Sequence, residues 1–259
     1  MRWHLWTMAP LVICLSACGT WQTTVGERAA PAPSVTVQTE PAPSVTPRIE
    51  GMARFALTPE TQWQAIIEYE DVAIGQSPAG WLRVTAGGVE DATWEVMQGP
   101  EVPSRTHVLG VTAPSDAPRD AVHMLWTDKI GFEDGTVRVD VLPRGGERCQ
   151  SVGLAWRVQD GLNYYVCRWD ALARDLMLGV VVNGELRTLG TWTTDLAVGE
   201  WHRIQIEHTV GEIKVQFAGA ERLEAQDNTL IEAGGVGLWT EGDSQAAFDG
   251  LIVQPGGGS

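Results

Sequence analysis

Residues 151–170 read SVGLAWRVQDGLNYYVCRWD, from Ser151 to Asp170, and this stretch decides the fold. Two runs rich in β-branched and aromatic residues flank Asp160-Gly161, a dipeptide that tolerates the positive φ of a tight hairpin turn. With that pair at the centre, opposed positions sum to 321. Side-chain parity then puts Val152, Leu154, Trp156 and Val158 on one face with Tyr165, Cys167 and Trp169, an apolar set that belongs in a core. The opposite face carries Gly153, Ala155 and Arg157 beside Tyr164, Val166, Arg168 and Asp170. Two small residues there leave open space next to two guanidinium groups, a phenol and a carboxylate, a combination suited to sugar hydroxyls.

The same two-residue period continues outward. In Gly135–Leu142 the residues Val137, Val139 and Val141 alternate with Arg138 and Asp140, and in Trp201–Glu207 the residues Ile204 and Ile206 point inward. Asn183-Gly184 marks a second hairpin, between Leu176–Val182 and Glu185–Thr191. No window between Gln62 and Pro255 sustains the three-and-four spacing of an amphipathic helix. About a dozen short strands without helical crossovers predict an all-β sandwich of two antiparallel sheets.

Charge and the N-terminus limit the partners. With 33 acidic against 18 basic residues the chain carries a formal charge of −15, which excludes the basic surface that nucleic acid requires. Leu5–Ala17 is the one strongly apolar run, and its 13 residues fall short of the roughly 20 that span a bilayer. Arg2, this run and the sequence Leu15-Ser16-Ala17-Cys18 resemble a bacterial lipoprotein signal: small residues precede a cysteine that would carry the lipid. Gly19 after Cys18 implies outer-membrane retention, facing either the periplasm or the medium. Pro-Ala-Pro-Ser-Val-Thr occurs at Pro31–Thr36 and again at Pro41–Thr46, which predicts an extended, semi-stiff tether. The expected organisation is a signal peptide over residues 1–17, lipidated Cys18 and a Pro-rich linker over 18–50, a β-domain over 51–255 and a disordered tail over 256–259.

Catalytic and metal signatures are sparse. His202 and His208 share a strand face but lie about 20 Å apart at ~3.3 Å per residue, too far to share an ion, and are expected at the surface. Gly75–Ala79 only approximates a serine elbow, and Gly234-Gly235-Val236-Gly237 leads into a strand, so it reads as a bulge or tight turn. The register places Cys149 roughly 16 Å along the strand from the residue opposite Cys167 and with opposite parity, so both thiols are expected to stay free. Glu68, Glu70 and Asp71 lack the Glu-x-Asp-x-Glu pattern of laminarinase-type enzymes and read as edge-strand surface. No metal ligand set or cofactor is called for. A structural calcium ion at the sandwich edge and the oligomeric state are left open.

Gly153–Arg168, then Gly199-Glu200-Trp201-His202, then Gly237–Ser244 through Phe248-Asp249 resemble, in order and spacing, the 3-keto-disaccharide hydrolase domain family. This family belongs to the concanavalin A-like (laminin-G-like) jelly-roll superfamily. The likeness extends to Pro78–Trp81, Trp94–Val96 and Pro103–Leu109. Members often carry a lysine where this chain has Glu241, and a second aspartate where it has Gly250. The resemblance implies a jelly roll with a sugar-binding concave face. Arg157, Arg168 and Asp170 would hydrogen-bond hydroxyls or a carboxylate, and Tyr164 or Trp239 would stack on the sugar ring. In an enzyme, Asp170 or Asp243 would serve as general base and Arg168 as electrostatic stabiliser of keto-glycoside cleavage. A structural or adhesive surface protein is the third expectation, with a blocked or flat concave face.

Overall fold

The structure, a computed structural model, describes residues 36–38, 52–57, 63–99 and 106–256. Within them the chain is all-β. The strands are β1 (Thr36–Gln38), β2 (Met52–Leu57), β3 (Trp63–Ile67), β4 (Leu82–Ala86), β5 (Thr93–Gln98), β6 (His107–Thr112), β7 (Val122–Phe132), β8 (Gly135–Gly145) and β9 (Ser151–Asp160). They continue as β10 (Asn163–Asp170), β11 (Asp175–Val182), β12 (Glu185–Thr193), β13 (His202–Thr209), β14 (Glu212–Phe217), β15 (Ala220–Gln226), β16 (Gly234–Glu241) and β17 (Gln245–Pro255). Every pairing is antiparallel. One sheet runs β1-β4-β7-β16-β9-β10-β11-β12. The second runs β15-β14-β13-β8-β17-β3-β2, and β6, itself paired with β5, joins β17 beside β3. The two antiparallel sheets form the jelly-roll sandwich expected from the sequence.

The alternating residues meet between the sheets. Val137, Val139 and Val141 of β8 and Ile204 and Ile206 of β13 lie wholly buried against Trp156, Tyr165 and Trp169 of the first sheet. Trp156 stacks on Tyr165 with centroids 5.6 Å apart, and Trp169 packs 5.2 Å from Phe217. His208, expected at the surface, is wholly buried: it shares parity with Ile204 and Ile206 and therefore their inward face. Its Nδ1 accepts the indole N–H of Trp156 at 3.0 Å, so the ring is neutral. His202 is half-buried, edge-on to Trp169 at 5.0 Å.

Both hairpins form, and the first departs from the simple register at its tip. From Tyr165↔Trp156 to Asp170↔Ser151 the opposed positions sum to 321 as expected, including Cys167 opposite Leu154. The turn, however, is closed by Asn163↔Asp160, so Gly161 and Leu162 are its central residues, with Asp160 Oδ1 accepting from Leu162 N–H at 2.7 Å. The surplus residues are absorbed by a bulge where Arg157 adopts φ +46°. Val158 thereby turns onto the outer face, away from the inter-sheet core to which its parity had assigned it. Asn183-Gly184 turns as expected, with φ +53° and +81° between Val182 and Glu185. Gly234 and Gly235 do open β16 with a bulge. Thr36–Gln38, inside the segment read as a tether, pairs with β4 at the edge of the first sheet. The signal peptide, Cys18 and most of the linker lie outside the described residues, as do residues 257–259 of the tail.

Candidate functional site

The outer face of the first sheet, turned away from the inter-sheet core, carries the residues that the sequence singled out. Its middle is an apolar floor: Met124 and Trp126 from β7, Trp239 from β16, Tyr164 and Val166 from β10, and Met177 from β11. Trp239 donates its indole N–H to the Tyr164 hydroxyl at 3.3 Å. The two rings are 2% and 3% exposed, so they form the floor and offer no open stacking platform. Burial pushes the Tyr164 phenol up to about 12 and keeps it protonated. At one end of this face lies a cleft of about 300 Å³ lined by Trp126, Asp128, Val158, Gln159, Gly234 and Gly235.

The other end is charged. Arg168 NH1 lies 2.7 Å from Asp175 Oδ1 and its Nε 3.1 Å from Glu241 Oε1. Arg168 and Glu241 are each 14% exposed at the side chain and Asp175 30%, so the group is partly open to solvent at this end of the face. Burial pushes the Glu241 carboxyl up to about 7, against the pull of Arg168 and with the help of Asp170. The sequence had flagged Glu241 only as a departure from a family lysine. Its parity with Trp239 along β16 is the signal that places it on this face.

The remaining predicted residues hold the scaffold. Arg157, expected on the groove face, is 4% exposed, and the bulge directs its guanidinium to Glu133 O at 2.7 Å, Leu230 O at 2.6 Å and Asp134 Oδ1 at 3.0 Å. Asp170 is wholly buried: Oδ1 accepts the N–H groups of Gln150, Leu172 and Ala173, and Oδ2 pairs with Arg119 at 2.8 Å. Asp243 accepts the N–H groups of Glu147, Arg148 and Cys149 at 2.8–3.0 Å. Burial raises the Asp243 carboxyl, but these donors outweigh it and hold the group below its ordinary range. A general base needs a raised carboxyl with a free lone pair, and Asp243 has neither. Asp170 has spent Oδ1 on loop closure and Oδ2 on Arg119. Glu70 is likewise engaged, by the N–H groups of Thr106 and His107.

Cys149 and Cys167 are both free and buried. Burial, reinforced for Cys149 by Glu241, raises the Cys149 thiol to about 12, and burial raises Cys167 beyond that. Neither is a nucleophile at neutral pH.

No family model matches this chain, and no curated protein sequence does. Solved structures do. The chain is similar to the carbohydrate binding module CBM66 from Bacillus subtilis, with a TM-score of 0.54 and 18% identity over 66% of this chain and 93% of that one. A Bacillus subtilis protein of unknown function with a galectin-like fold matches with a TM-score of 0.48 and 13% identity, over 66% of this chain and 88% of that one. The laminarinase from Rhodothermus marinus gives 0.45 and 13%, over 57% and 77%. At 18% identity the likeness to the carbohydrate binding module is one of fold, and it agrees with the two-sheet jelly roll described above.

Proposed function

We propose that this protein is an outer-membrane lipoprotein whose Pro-rich segment displays a jelly roll that binds carbohydrate on the outer face of its first sheet. One observation carries the reading: Arg168, Glu241 and Asp175 converge, partly exposed, at the end of a floor containing Trp239 and Tyr164. A guanidinium offers a planar fork of donors and the two carboxyl groups offer acceptors, which is the hydrogen-bonding complement of vicinal hydroxyls. The fold shared with a carbohydrate binding module supports the reading. The lipid anchor rests on the sequence around Cys18 alone. The bases expected for hydrolysis are not free to act: Asp243 is committed to backbone donors, and Asp170 to backbone donors and Arg119.

The test is a glycan array probed with the full chain, combined with a turnover screen on keto-glycosides. The expected result is saturable binding without product, weakened at least tenfold in Arg168→Ala. Product release would establish an enzyme instead. Silence in both assays would overturn the carbohydrate reading and favour the structural or adhesive role.

A further inference from the structure

Strand pairing and the β8–β9 loop gather one thiol and two carboxyl groups at the charged end of the first sheet. The sulfur of Cys149 and one oxygen from each of Asp170 and Glu241 lie within 4.8 Å of one another. Cys149 and Asp170 are wholly buried.

Ser151 supplies an independent observation. It stands opposite Asp170 in the β9–β10 ladder, and the register that pairs Trp239 with Gly153 brings Glu241 alongside it. Its side chain therefore shares a face with both carboxylates and lies between them. Ser151 is wholly buried; its N–H is taken by Ser244 Oγ and its carbonyl accepts from Thr240 Oγ1, yet its own hydroxyl has no hydrogen-bond partner. A buried hydroxyl left unsatisfied is a net cost to the fold. This one stands on the ladder between the strands that carry the two carboxyl groups, two residues along the chain from Cys149.

We propose that Cys149, Ser151, Asp170 and Glu241 form a binding site for a thiophilic divalent cation of the zinc class. A sulfur ligand disfavours calcium and magnesium, whereas one sulfur with two or three oxygens suits zinc or cobalt. Two guanidinium groups now neutralise the carboxylates, and both can yield. Arg119, on Asp170, is 53% exposed and can move into water. Arg168, on Glu241, keeps Asp175 as its partner. On binding, the metal–sulfur bond forms as the thiol proton leaves to solvent.

The site shares Glu241 with the proposed carbohydrate face, but the inference does not rest on that reading and its readout involves no sugar. Full-length protein stripped with chelator is titrated with Co(II) under reducing conditions. The expected signature is a sulfur-to-cobalt charge-transfer band in the near ultraviolet, saturating at one equivalent and bleached by Zn(II). Cys149→Ser should abolish the band and Cys167→Ser should leave it intact. Glu241→Gln, a change on a partly exposed side chain, should weaken Co(II) binding at least tenfold, and it carries the test should Cys149→Ser fail to fold. Absence of the band in the parent protein would overturn the site. So would a band that persists in Cys149→Ser, which would place the sulfur at Cys14, Cys18 or Cys167, or Co(II) affinity unchanged in Glu241→Gln.

Discussion

Arg157 shows how one residue can look like a ligand-binding group while holding the molecule together. Its guanidinium bridges Glu133 O, Leu230 O and Asp134 Oδ1, joining the end of β7 to the segment before β16. Truncation would leave two carbonyls without their donor and one carboxylate without its counter-charge. Arg157→Ala is therefore expected to cost about 2–4 kcal/mol in a denaturant titration, while glycan affinity of the folded fraction stays unchanged. A loss of affinity at constant stability would return Arg157 to the binding face. Parity could not have revealed this role, because a bulge is a local count of residues that no alternation records. His208 is the opposite case. Its even number, shared with Ile204 and Ile206, already assigned it to the core, and only the habit of treating histidine as a surface residue hid that.

At the scale of elements, what was legible is what depends on short-range chemistry. The alternation of β8 and β13 and the Asn183-Gly184 turn follow from side-chain parity and from glycine's access to positive φ. Gly184, at φ +81°, is expected to cost roughly 1 kcal/mol on replacement by alanine, seen as a lowered Tm with unchanged β-sheet circular dichroism. Gly235 is more demanding, since a Cβ there would lie 2.3 Å from Thr127 O and 2.7 Å from the Trp126 ring. Gly235→Ala must push β16 from β7 and crowd the cleft beside Trp126. It should destabilise more than Gly184→Ala and shift the tryptophan emission, and an unshifted spectrum would argue against that close packing. The candidate site was half legible for the same reason. Residues of one hairpin, Tyr164, Arg168 and Asp170, were placed on a common face correctly; parity with Trp239 also gives Glu241 its face, but that β16 lies beside β9, which brings Glu241 to Arg168, is a long-range pairing that sequence spacing does not encode.

For the whole molecule, burial of titratable groups sets the dependence of stability on pH. His123 and His208 lie wholly buried, and desolvation lowers each to about 4, below the 6.5 of an unfolded histidine. Between those values the unfolded chain binds protons that the folded chain refuses. The stability held above pH 6.5 is therefore lost progressively as the pH falls toward 4, on the order of a few kcal/mol per histidine. Asp227 adds a second acid limb. Burial raises its carboxyl, but hydrogen bonds from Tyr165, Arg187 and Thr229 prevail and hold it at about 2, so its contribution disappears as the pH falls from about 3.8 to 2. Glu241, raised to about 7, works against one histidine, because between about 4.5 and 7 the folded chain keeps a proton that the unfolded carboxylate has released. Unfolding free energy should thus fall with a net slope of about one proton as the pH drops from 6.5 to 4.5, and fall again below 3.8. His208→Gln isolates the first step, because the amide oxygen can still accept the Trp156 indole N–H while the group no longer titrates. The variant should lose nearly all of the net slope between pH 6.5 and 4.5, where His123 and Glu241 then offset each other, and keep the step below 3.8. An unchanged upper slope would mean that His208 is charged in the folded protein, and the hydrogen bond from Trp156 to its Nδ1 could then not exist.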